Sequence, residues 1–277
     1  MHGADLLHWG LTIALMLAAG CLAGFAAGLF GIGGGFVVVP ALLAMLPLLG
    51  GSPEAVAHVA IGTSLATIVV TSLRSMQAHA RRGAVDFAML KGWAPWIVVG
   101  VGAGVLLASR ISSQGLVLIF GTGVTLMAVH FLFPVLSGRH LRDQLPSGVG
   151  RAAIATGLGT FSSLLGIGGG TITTIVMTLC GNSIHRSIGT SSGVGVIIAV
   201  PGMIGFMAIG LGSAGLPYGS LGYVNLPATL AIVATSVITA PWGVAAAHKL
   251  SPALLTRIFG IYLLVIGIVM IRRGMGM

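Results

Sequence analysis

Long apolar stretches, interrupted at a few points by charge, set the plan of this chain. Uncharged runs cover Leu6 to Pro53, Ala55 to Leu73, Gly92 to Ser109, Ile111 to Gly138, Ala152 to Ile184, Ser187 to His248 and Ile258 to Ile271. A helix that crosses a bilayer needs about 20 mostly apolar residues. Most runs therefore hold one span, and the longest holds more than two. None alternates with a period of two, as the strands of a membrane barrel would. The pattern predicts an all-α polytopic membrane protein. Its hydrophobic segments fall at about 6–30, 33–49, 56–78, 86–108, 114–136, 151–165, 170–181, 186–208, 224–247 and 254–272.

Two boundaries in this pattern are glycine clusters. Gly31-Ile32-Gly33-Gly34-Gly35 returns in the second half as Gly166-Ile167-Gly168-Gly169-Gly170. Each glycine costs a helix about 1 kcal/mol relative to alanine. In hydrocarbon, broken backbone is tolerated only where protein or a water-filled cavity covers it. Two further blocks repeat in the same order. His58-Val59-Ala60-Ile61-Gly62-Thr63-Ser64 matches His185-Arg186-Ser187-Ile188-Gly189-Thr190-Ser191 at His, Ile, Gly, Thr and Ser. Gly104-Val105 through Ser112 matches Gly243-Val244 through Ser251, and Gly121 and Gly260 keep the same offset. Ordered blocks of this kind signal an internal repeat. The expected division is a membrane repeat over 1–138, a connector over 139–150 and a second repeat over 151–277.

The segments flanking the second cluster are short. Residues 151–165 would reach about 22 Å as helix and 171–181 about 16 Å, against about 30 Å of hydrocarbon. Half-helices, re-entrant or broken, that meet near the midplane fit these lengths. Short, glycine-interrupted segments at matching places in two halves point to a transporter binding site.

Charge adds orientation. Only 6% of residues are charged, against roughly a quarter in soluble domains, while 56% are hydrophobic. The formal net charge is +9, with four acids, Asp5, Glu54, Asp86 and Asp143. In a membrane protein that excess reads as the positive bias of cytoplasmic loops, not as a nucleic-acid surface. The loop near Arg74, Arg81, Arg82 and Lys91 is basic, whereas its counterpart, about Gly210 to Tyr223, carries no charge. Equivalent loops on opposite sides require inverted repeats, each of about five segments. Arg272 and Arg273 then fall on the outer side, against the rule. The first residues, Met1 to Asp5, lack Lys and Arg, so the first segment is expected to remain rather than be cleaved as a signal. Cys21 and Cys180 lie in apolar segments without metal spacing, and neither a metal nor a cofactor is expected.

The helix after each cluster begins with free N–H groups and a positive dipole end, which bind anions without a cationic side chain. The candidate substrate-binding positions are Gly33, Gly34, Gly35, Gly168, Gly169, Gly170 and Thr171. Ser162, Ser163, Thr173 and Thr174 beside the second break offer further hydroxyls. Thr63, Ser64, Thr190 and Ser191 either line the pathway or bond back to their own helices. His58, His185 and Arg186 are candidates for a proton relay or gate, with His130 the remaining histidine considered; a plain helix-start role is the alternative. Pro95, Pro201 and Pro241 are expected to kink their helices, and Trp93, Trp96 and Trp242 to anchor at the interface. No enzyme constellation stands out. The partners expected are a small anionic solute and membrane lipid, with no nucleic acid and no assignable oligomeric state.

Taken together, the paired glycine motif, Pro40 after its first copy, and His-x-x-Ile-Gly-Thr-Ser resemble the sulfite exporter TauE/SafE family of membrane transporters across nearly the whole chain. The resemblance implies transport of sulfite, sulfonates such as sulfoacetate, or other small organic anions, commonly outward across the bacterial inner membrane. The family's glycine positions carry onto Gly31, Gly33, Gly34, Gly35, Gly166, Gly168, Gly169 and Gly170. The second cluster runs into Thr171-Ile172-Thr173-Thr174 without a counterpart of Pro40, so the two sides are expected to differ. A channel, a transporter of a non-sulfur anion and a membrane assembly protein remain the competing readings.

Overall fold

The computed structural model describes residues 3–30, 33–133, 144–247, 249 and 252–276. Gly31 of the first cluster and the connector residues Arg139, Arg142 and Asp143 lie outside the described residues. The described chain is almost wholly helical: α1 Gly3–Phe30, α2 Gly35–Met45, α3 Pro53–Ala80, α4 Phe87–Ala108, α5 Ser113–Leu132, α6 Gly148–Leu165, α7 Gly170–Leu179, α8 Ile184–Ile209, α9 Leu226–Ala247 and α10 Pro252–Gly274. A 3-10 turn, Leu46–Leu49, extends α2. Among the described residues six helices are long and apolar enough to span a bilayer, those at Gly10–Phe30, Pro53–Ala80, Phe87–Ala108, Ser113–Leu132, Ile184–Ile209 and Leu226–Ala246. The protein is an integral, multi-pass, all-α membrane protein.

Two expectations need correction, the start of α6 and the place of Trp93. The helix α6 starts at Gly148, so its 18 residues reach about 27 Å rather than 22 Å. Gly148, Val149 and Gly150 ahead of Arg151 join its first turn, although the two glycines read as connector. The loop between α8 and α9 contains a two-residue hairpin, β1 Ser220–Leu221 against β2 Val224–Asn225. Trp93 is 3% exposed and belongs to the core, while Trp96 and Trp242 face outward as expected.

Small residues let the helices approach closely. Gly20, Gly24 and Gly28 recur every fourth position on α1, and a side chain at any of them would strike the backbone of α9. Thr235 and Thr239 of α9 donate back to the carbonyls of Leu17 and Cys21. The pair α4 and α6 repeats this device. Gly100 and Gly104 face the Thr156 and Thr160 carbonyls, and Thr160 donates to Gly100 O. Where lipid tails are as apolar as leucine, such close approach is the main source of helix association.

At the centre α3 and α8 cross and run in opposite directions. Gly62 lies against Phe206, Leu65 against Gly202, Ser72 against Gly195, Ser75 against Ser192 and His79 against Gly189. The alignment that places His58 on His185 also places Gly62 on Gly189 and His79 on Phe206. It therefore turns the Gly62–Phe206 contact into the His79–Gly189 contact, with the helices exchanged. In the same way it turns Leu65–Gly202 into Ser75–Ser192. The neighbours of α3 and α8 are also exchanged: α1 with α9 corresponds to α6 with α4, and α3 with α9 to α8 with α4.

Candidate functional site

Both glycine breaks are buried, and they meet. Gly34 and Gly169 stand at the head of α2 and α7 with φ of 81° and 65°, a conformation in which glycine carries no Cβ penalty. Neither helix start is capped by a side chain. A side chain at Gly35 would collide with the Gly166 carbonyl and come within 3.0 Å of Ile167 Cα. The first turn of α2 therefore lies directly against the second break. Neither α2 nor α7 carries a charged residue. Two helix starts, whose first-turn N–H groups have no partner within the helix and whose dipole ends are positive, are thus buried in one neighbourhood.

Hydroxyls of α3 hold both breaks in place. Ser64 Oγ donates to Gly166 O at 2.8 Å, across the two halves. Thr71 Oγ1 donates to Gly33 O at 3.0 Å. Each bond satisfies a carbonyl that the interrupted helix leaves free. Thr173 Oγ1 and Ser163 Oγ are also engaged, with Gly169 O and Thr160 O. Near the breaks, among the described residues, the buried hydroxyls of Ser72, Ser162, Thr171 and Thr174 have no protein partner. Ser72 and Ser162 are fully buried and Thr171 is 3% exposed. Ser72 Oγ lies 3.0 Å from the point a Cβ on Gly33 would occupy, and Ser162 Oγ the same distance from that of Gly169. A Cβ on Gly195 would meet Ser72 Oγ at 2.5 Å and Gly168 O at 3.4 Å, so Ser72 stands between the two breaks. The sequence reading missed Ser72. The available signal was its place on the polar face of α3 with Ser64 and Ser75, at a position where the second repeat has Ala199.

The His-x-x-Ile-Gly-Thr-Ser residues divide between the breaks and the two rims. Ser64 sits at the breaks; Ser191 is buried and donates to Ile188 O at 2.8 Å. Thr63 and Thr190 act as braces. Thr63 Oγ1 accepts the N–H of Asn225 at 2.8 Å, and Thr190 Oγ1 accepts the N–H of Asp86 at 2.9 Å. Asn225 Oδ1 in turn accepts Ala228 N and Asp86 Oδ1 accepts Met89 N, both at 2.9 Å. Each threonine therefore fixes the residue that caps the start of a spanning helix, α9 or α4. The preceding glycines allow this: a side chain at Gly62 would strike Tyr223 O, and one at Gly189 would strike Ala84 O. Asp86 with Asn225, and Ala84 with Tyr223, stand at the same offset as Gly104 with Gly243.

The histidines are unlike each other. His58 is 6% exposed, stacks on Tyr223 at 4.8 Å and has Nε2 3.1 Å from Ala108 O. His185 lies exposed at the start of α8. Beside it Arg186 donates to Asp86 Oδ2 at 2.7 Å. Burial raises the Asp86 carboxyl, but the Met89 N–H and the Arg186 guanidinium outweigh it and hold that carboxyl below its ordinary value. The corresponding place on α3 is Val59, so this ion pair has no equivalent at the opposite rim. His130 is half-buried in the last turn of α5, with its ring 6.1 Å from that of Phe131.

The family model described as sulfite exporter TauE/SafE matches residues 16–270. A "probable membrane transporter protein" of Haemophilus influenzae is 36% identical over 259 residues, 92% of this chain and 97% of that protein. A protein of the same description from Methanocaldococcus jannaschii is 26% identical, covering 94% of this chain and 96% of its own length. In Bacillus subtilis, "probable membrane transporter protein YunE" is 25% identical, covering 95% and 99%. No solved structure matches the chain.

Proposed function

The chain belongs to the sulfite exporter TauE/SafE family, and we propose on that premise that it exports a small sulfur-containing anion, sulfite or a sulfonate, across the bacterial inner membrane as a secondary transporter. The observation that carries the reading is the meeting of two uncapped helix starts, α2 and α7, beside the buried, unpartnered hydroxyls of Ser72, Ser162 and Thr171. Amide and hydroxyl donors in a site with no acid suit oxyanion oxygens. The proposed binding set is Gly33, Gly34, Gly35, Gly168, Gly169, Gly170 and Thr171, with Ser72 and Ser162 added. Ser64 shapes the site through the Gly166 carbonyl, while Thr63 and Thr190 brace the rims.

An inverted repeat over 1–138 and 151–277 supplies the motion. Its support is the antiparallel crossing of α3 and α8, whose contacts exchange when His58 is aligned with His185. An axis that swaps two antiparallel spanning helices lies perpendicular to them, hence in the membrane plane. Rocking of the halves about that crossing would expose the breaks to one side and then the other. His58, at the rim formed with Tyr223 and Ala108, and His185 with Arg186, at the opposite rim, are then the gate positions.

Flux of sulfite and sulfonates in proteoliposomes tests the proposal. Saturation and counterflow are expected, and Gly169→Leu should abolish both. Unchanged flux in that variant would remove the proposed site, and ohmic single-channel current would replace the transporter with a pore.

A further inference from the structure

Among the described residues the side chains that donate to the backbone of the breaks are hydroxyls, Ser64, Thr71 and Thr173, and none is a cation, which limits the charge the site can accept. Among the described residues α2, α7 and α9 carry no acidic, basic or histidine side chain, and neither does α1 from Gly10 onward. On α3 the nearest groups are Arg74, whose side chain is exposed, and His79, about 10 Å along the helix from Ser72 with Nε2 3.4 Å from Gly28 O in the last turn of α1; just past α3, Arg82 donates to Val244 O at 3.3 Å, on the α9 side of that turn. Glu54 and His58 of α3 lie about 27 Å and 21 Å away along the axis. His185 and Arg186 occupy the start of α8, and Arg151 the start of α6. The Tyr262 hydroxyl of α10 donates to Phe36 O at 3.3 Å, and Arg273 reaches Leu43 O beyond the far side of α2. The positive potential at the breaks therefore comes from two helix starts.

Each start is worth about half an elementary charge, and the opposing C-terminal ends of α1 and α6, where Ser64 takes up the Gly166 carbonyl, only reduce it, so the two starts together balance at most about one. Ser72, Ser162 and Thr171 add neutral donors, all nearly or fully buried and without protein partners. A second negative charge in that buried place would find no counter-charge, and unpaired buried charge is strongly disfavoured. We infer that the site takes singly charged oxyanions and rejects doubly charged ones of similar size. The inference rests on the function proposed above and narrows it. Within the sulfur anions it selects hydrogen sulfite and simple alkanesulfonates and disfavours sulfoacetate, whose carboxylate adds a second charge.

The test is flux in proteoliposomes of the full-length protein with methanesulfonate, sulfoacetate, sulfate and sulfite, and with acetate and succinate as carboxylate controls. Methanesulfonate should saturate, with kcat/KM about a hundredfold or more above sulfoacetate and sulfate. Sulfite flux should fall as pH rises through its second ionisation, while methanesulfonate flux stays level over that range. Ser72→Ala and Ser162→Ala should each raise KM for methanesulfonate by about tenfold. Neither should lower Tm, because neither hydroxyl supports the fold. Sulfoacetate or sulfate moving as well as methanesulfonate would overturn the charge rule while leaving the sulfur-anion transporter intact. Acetate moving, with succinate and every sulfur anion excluded, would keep the charge rule and remove the sulfur substrate. No flux of any probe would overturn both.

Discussion

Replacing Thr63 or Thr190 by valine separates bracing from substrate binding. Valine keeps the shape and β-branching of threonine and deletes only the oxygen. In Thr63→Val the Asn225 N–H loses its 2.8 Å acceptor; in Thr190→Val the Asp86 N–H loses one at 2.9 Å. Both threonines are fully buried, so water cannot readily take the place of the lost oxygen. A buried donor left unsatisfied costs about 1–3 kcal/mol. Each substitution also loosens a helix cap, whose own loss is worth about 1 kcal/mol. These overlap, because the cap survives through Ala228 N or Met89 N, and about 1–3 kcal/mol per site is the expected total. Along α3 the level of Thr190 lies near residue 78, which puts the two braces about 22 Å apart. Their effects should therefore add. Thermal unfolding in detergent, followed by tryptophan fluorescence, should show both single variants less stable by similar amounts and the double variant less stable by the sum. The KM of whatever anion is transported should stay within a few-fold of wild type. Unchanged Tm with lost affinity would refute the brace and make these hydroxyls ligands.

Other changes follow from the same geometry. Gly35→Ala should destabilise the protein and abolish transport, because its Cβ would collide with the Gly166 carbonyl; helix propensity alone predicts a gain of up to about 1 kcal/mol, so the sign of the Tm shift decides. Ser64→Ala should cost about 1–2 kcal/mol and lower flux, by releasing the Gly166 carbonyl; a stability cost with normal flux would unlink that bond from the site. The depressed Asp86 carboxyl contributes stability that is present above the ordinary carboxylate range and lost as pH falls through its lower folded value. Asp86→Asn keeps the cap, as Asn225 does at the other rim, and should change stability at neutral pH by under about 1 kcal/mol. Its Tm-versus-pH curve should also lack that acid-side loss, and an unaltered acid limb would show that other groups set it.

The membrane class and the positions of the breaks were legible in the sequence, for a local reason. Apolar length and glycine runs act through hydration and backbone freedom, which each segment carries by itself. Helix bounds came within about four residues; α6 begins at Gly148 because Gly148, Val149 and Gly150, whose glycines read as connector, join its first turn. The matched blocks, His58 with His185 and the two glycine clusters, were legible too. Roles inside them were not. Thr63 and Ser64 are neighbours in the chain, yet one braces Asn225 at a rim and the other holds Gly166 at the breaks, because successive helical side chains point about 100° apart into different neighbours. Ser72 gained its place between Gly33, Gly168 and Gly195 only when α3 crossed α8. The apolar pattern by itself determined a bundle with two interruptions. The crossing of α3 and α8 decided that the interruptions share one buried spot, because contacts between residues far apart in the chain depend on how helices meet and leave no local mark on the sequence.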